Sequence, residues 1–137
     1  MDKNHIFDNL KQIDEKLDSI IKNINYAKVH HKSTVVITNC GNAAFSLKDI
    51  QKKLTEIATG LEKEEKQLSE NISKSANNVN GAIENVNYAK VHYKTTAVIT
   101  SCESAVKKLK EIREELAEIV SKLGVSNNKE TENEREF

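Results

Sequence analysis

The sequence predicts an all-α protein, a long antiparallel helical hairpin of coiled-coil character made from two tandem units. Three observations predict it. First, there is no proline, there are four glycines in 137 residues, and 31% of residues are charged, a composition that suits helices rather than a sandwich or barrel. Second, apolar residues recur at three- and four-residue steps along most of the chain. Third, "NYAKVHHKSTVVITNC" (25–40) returns as "NYAKVHYKTTAVITSC" (87–102), with 12 of 16 positions identical at a constant offset of 62.

Four apolar stripes define the elements in order. Ile6, Leu10, Ile13, Leu17, Ile20 and Ile24 form the first; Ala43, Leu47, Ile50, Leu54 and Ile57 form the second. Leu68, Ile72, Val79, Ile83 and Val86 repeat the first. Ala105, Leu109, Ile112, Leu116, Ile119 and Leu123 repeat the second. The flanks agree less than the central string: 3 of 20 positions match between 5–24 and 67–86, and 7 of 20 between 41–60 and 103–122. The units are therefore 3–60 and 65–122, in one helical domain spanning 1–123. Residues 124–137, "GVSNNKETENEREF", follow a glycine stop with little to bury and read as a disordered polar tail.

The shared string itself is ambiguous. "STVVIT" and "TTAVIT" are β-branched and would suit strands, yet neither glycine nor proline separates them from the helix before. The stripes before and after the string differ in direction by roughly 100° at 100° per residue. Either the helix breaks there, or it continues and changes partners. If it continues, each unit is one helix of about 55 residues, about 80 Å long, and the chain folds back at Gly60, the one good turn signal. Facing positions then sum to about 120, and Cys40 and Cys102 lie about 33 Å apart along the axis, beyond reach of a disulfide. Two such helices bury little core per residue, so this hairpin predicts an oligomer. If the helix breaks, each unit is a helical hairpin and the two form a compact four-helix bundle.

Composition excludes several functions. The 21 basic and 21 acidic side chains cancel, so no global field draws the chain to a nucleic-acid polymer or an anionic membrane. No apolar run approaches 18 residues and the start lacks a signal-peptide pattern, which predicts a cytoplasmic protein with free thiols. There is no phosphate loop, nucleophile elbow or helix-turn-helix signature. His30, His31 and Cys40 lack compact metal-ligand spacing, and His30 and His92 stand ten residues before the cysteines, too far along a helix to activate them. The sequence thus predicts no enzyme, metal or cofactor.

The repeated string concentrates polar chemistry. Tyr26 and His30 are four apart, as are Lys28 and Lys32; Tyr88, His92, Lys90 and Lys94 copy them, with Thr34 and Thr96 just beyond. Pairs at this spacing share a helix face. The first functional expectation is a helical interaction protein that self-associates and binds a protein partner, the string packing where helices meet while lysines snorkel outward. The alternative is a sponge or sensor capturing an anionic, nucleotide-like ligand such as a cyclic dinucleotide. Those ten residues would then supply charge-assisted hydrogen bonds and stacking.

Overall fold

In the computed structural model, which describes residues 2–30, 32–61, 65–92 and 94–123, the chain forms four helices. They are α1 (Lys3–His30), α2 (Ser33–Thr59), α3 (Lys66–Val91) and α4 (Thr95–Leu123). The predicted tail, 124–137, lies outside the described residues, as do His31 and Tyr93. Helices α1 and α3 each pack against both α2 and α4, so the four make an up-down-up-down bundle with antiparallel neighbours.

All the residues of the four stripes face this common core, except Leu68, which is half-buried against it. That explains why the chain folds this way. Stripes rotated by about 100° about one axis cannot both meet a single partner helix. Folding each unit back on itself turns them inward together. The continuous 55-residue helix therefore does not form, and the four-helix arrangement does.

Cross-bundle polar contacts fix the register. Arg113 on α4 donates from Nε and Nη2 to the Asp14 carboxylate on α1 at 2.7 and 3.0 Å, and from Nη1 to Asp18 at 2.9 Å. Gln51 on α2 donates to the Ala76 carbonyl at 2.9 Å, and the Ser69 hydroxyl to the Ala58 carbonyl at 2.8 Å. Between α3 and α4, Ser75, a buried serine, donates to Glu115 at 2.9 Å, and Lys108 donates to Asn85 at 2.8 Å. The α3–α4 pairs have no counterpart in the long hairpin, whereas the Arg113–Asp14, Gln51–Ala76 and Ser69–Ala58 pairs keep its partnering of α1 with α4 and of α2 with α3.

At the turn end, α2 stops at Gly60, whose N–H donates to the Glu56 and Ile57 carbonyls at 3.0 and 3.2 Å. Its φ of −81° is ordinary, so this turn does not use glycine's left-handed freedom. The other two connections, 31–32 and 92–94, meet at the opposite end. We call this the corner end.

Candidate interaction site

Both copies of the repeated string form corners, and each copy supplies the same parts. Tyr88 stacks on His92 with ring centroids 3.6 Å apart and planes at 21°; Tyr26 lies against His30 at 4.1 Å and 44°. The His92 Nδ1 is 2.8 Å from the Tyr88 carbonyl. With Nδ1 protonated, it satisfies an acceptor that the ending helix leaves orphaned. The backbone then turns extended, at ψ 143° in both Lys32 and His92. The Lys32 and Lys94 carbonyls restart the ladder by accepting from the Val36 and Val98 N–H groups at 2.9 and 3.1 Å. A helix thus stops and restarts with no glycine or proline.

Beneath the corners, Ala27, Cys40, Ala89 and Cys102 are all fully buried. The register puts them at one level, one from each helix. Two alanines leave that layer thin, and the two thiols meet across the axis rather than standing far apart as the hairpin required. The hydrogen bond from Cys40 lowers Cys102 from the ordinary thiol value, with burial opposing and the Lys28 charge assisting. The same bond raises Cys40, and its burial adds to that rise.

The fold gathers the ten sequence-selected residues at the corner end without aiming them into one pocket. Tyr26 and His30 lie about 160° around α1 from Lys28. Lys28 instead reaches across to Glu103 on α4 at 3.7 Å. There it lines an open groove of about 680 Å³ of mixed charge, with Val29, Val106, Lys107, Glu111 and Glu114. Lys90 runs beside Gly41 on α2, within 3.8 Å of where a Cβ would stand. Lys32, Thr34, Lys94 and Thr96 are exposed around the rim, as are Tyr26 and Tyr88, while His92 is half-buried. No group of three or more metal-ligating side chains occurs among the described residues.

Sequence reasoning missed the apolar surface beside these residues. Tyr26, Val29, Ile37, Phe45, Tyr88 and Val91 are the exposed large apolar side chains among the described residues. Every one lies in the half of the bundle nearest the corners. Phe45 is the extreme, at 77% exposure. Ile37, Gly41 and Phe45 fall at four-residue steps and make one ridge of α2, next to Lys90 and Val91 at the end of α3. The signal was present: at the 62-residue offset Gly41 stands opposite Glu103, and Phe45 opposite Lys107. The same half is short of carboxylates, with Glu84 and Glu103 at its margins. Residues 19–48 and 85–102 hold six lysines (22, 28, 32, 48, 90 and 94) and no Asp or Glu. The remainder of the neutral chain therefore has 21 − 6 = 15 basic against 21 acidic side chains.

No helix among the described residues is long and apolar enough to cross a membrane. Comparison with protein-family models, curated proteins and solved structures gives no match.

Proposed function

We propose that the protein is a helical interaction module that docks a protein partner on the corner half of the α2/α3 face. The observation that carries this reading is Phe45, exposed on the Ile37–Gly41–Phe45 ridge where the other unit has a charged surface. A large exposed aromatic has the character of a binding anchor. The glycine allows another helix a close approach, and the lysine rim selects an acidic amphipathic segment. Self-association, the other half of the sequence expectation, would have to set this lysine-rich half against a surface of the second copy.

The test places a photo-crosslinking residue at position 45 and, as a control, at Glu118 in the far half of α4. Position 45 is expected to give one dominant adduct with an acidic protein, lost in a Val91→Ser, Ile37→Ser background that melts normally. Equal adducts from both positions would remove the docking assignment. An adduct with a second copy, together with a dimer mass by light scattering, would give the face to self-association. The small-ligand reading draws support from the two Tyr–His pairs standing near the corner lysines. Calorimetry against a nucleotide panel addresses it. Binding lost when Lys28, Lys32, Lys90 and Lys94 become glutamine would favour it, and an empty panel would set it aside.

A further inference from the structure

The thiol layer carries an inference independent of docking. Cys40 on α2 and Cys102 on α4 occupy diagonal helices, which in a bundle are ordinarily kept apart by large core side chains. Here the two remaining members of the layer are Ala27 and Ala89, both fully buried, so the diagonal closes. The contacts on either side place the pair at one height. On α1 and α4, Lys28 reaches Glu103, the neighbour of Cys102; on α2 and α3, Lys90 lies against Gly41, the neighbour of Cys40. Both cysteines are free thiols, and each is the first influence on the other's acidity. Each also has a lysine charge within electrostatic reach, Lys90 for Cys40 and Lys28 for Cys102, the latter opposed by Glu103.

We propose that Cys40 and Cys102 form an intramolecular disulfide under peroxide, a covalent staple across the bundle axis just beneath the corner end. The Cys102 thiolate attacks one oxygen of hydrogen peroxide, and the O–O bond breaks. Hydroxide leaves and takes up the proton that Cys102 gave up, leaving a sulfenic acid and one water. The Cys40 sulfur then attacks the sulfenic sulfur, an S–S bond forms, and the S–O bond breaks. The departing hydroxide takes the Cys40 proton to make the second water. Two thiols and one peroxide become one disulfide and two waters, two electrons passing from sulfur to oxygen.

The staple closes a loop of 62 residues in sequence, long enough to restrict the unfolded chain strongly. The experiment treats the native full-length protein with a modest excess of hydrogen peroxide over several hours, followed by intact-mass analysis and thiol counting. The expected product is monomeric and lighter by two hydrogens, with both thiols lost together and recovered with dithiothreitol. Its melting temperature should rise by about 5–15 °C. A Cys40→Ala variant should stop at a Cys102 sulfenic acid that dimedone traps, and a Cys102→Ala variant should keep Cys40 as a thiol. Should either variant fail to fold, peptide mapping of the oxidised parent supplies the linkage directly. A crosslink that appears only after denaturation, one that joins two chains, or a lowered melting temperature would each overturn the proposal.

Discussion

Arg113 shows how a single side chain locks the register of this bundle. Its planar guanidinium grips Asp14 through two nitrogens and touches Asp18 with a third, tying α4 to α1 at mid-length. Asp18 is held below the ordinary carboxylate value by Lys22 first and by Arg113 further, against the cost of desolvation. A lowered carboxylate contributes stability above its unfolded pKa and loses it as the pH falls through the folded value. All three side chains are partly open to solvent, so the cluster contributes modestly. Arg113→Met should cost about 1 kcal/mol in urea denaturation at neutral pH. The difference from the parent should narrow below about pH 4 as Asp18 protonates. A difference unchanged at low pH would assign the effect to packing of the arginine stem.

At the scale of the element, the corners divide what could be read from what could not. Ile6 to Ile24 and Ala105 to Leu123 announced their helices through period alone, because an amphipathic stripe depends only on neighbours three and four residues away. The breaks at 31–32 and 92–94 gave no such signal. The chain has no proline, and its glycines lie elsewhere. At the end of α3 an imidazole folds back on the carbonyl four residues earlier, and where the helix ends depends on the core that the following helix will meet. The β-branched "STVVIT" is helical for the same reason: Val36 and Cys40 gain burial in the bundle that outweighs a weak local preference. The only local trace of the corner was the rotation between stripes. A substitution can test the corner. Lys32 has φ −80° and ψ 143°, which suits the residue before proline, and Ser33 is the first helical position, where proline is favoured. Ser33→Pro should therefore stabilise the protein by about 0.5–1 kcal/mol in chemical denaturation. In an unbroken helix the same change would cost about 3 kcal/mol, so the sign decides.

Across the whole molecule, composition concealed what position reveals. A net charge of zero argued against any electrostatic preference, but two stretches with six lysines and no Asp or Glu, 19–48 and 85–102, fold to the same half. The ten residues chosen from the repeated string belong to that basic end, and that much was legible. Their dispersal around the rim was not, since helical angle relative to a core not yet located decides which way each side chain points. The up-down-up-down order has another consequence. With an even number of helices, Lys3 and Leu123 both lie at the turn end, about 40 Å from the corners. The molecule can be held by either extremity with its basic, aromatic tip projecting freely, like a brush held by the handle. A bulky fluorescent protein fused ahead of residue 2 should leave crosslinking from position 45 unaltered. The same cargo inserted between Lys32 and Ser33 should abolish it while the helical content by circular dichroism persists.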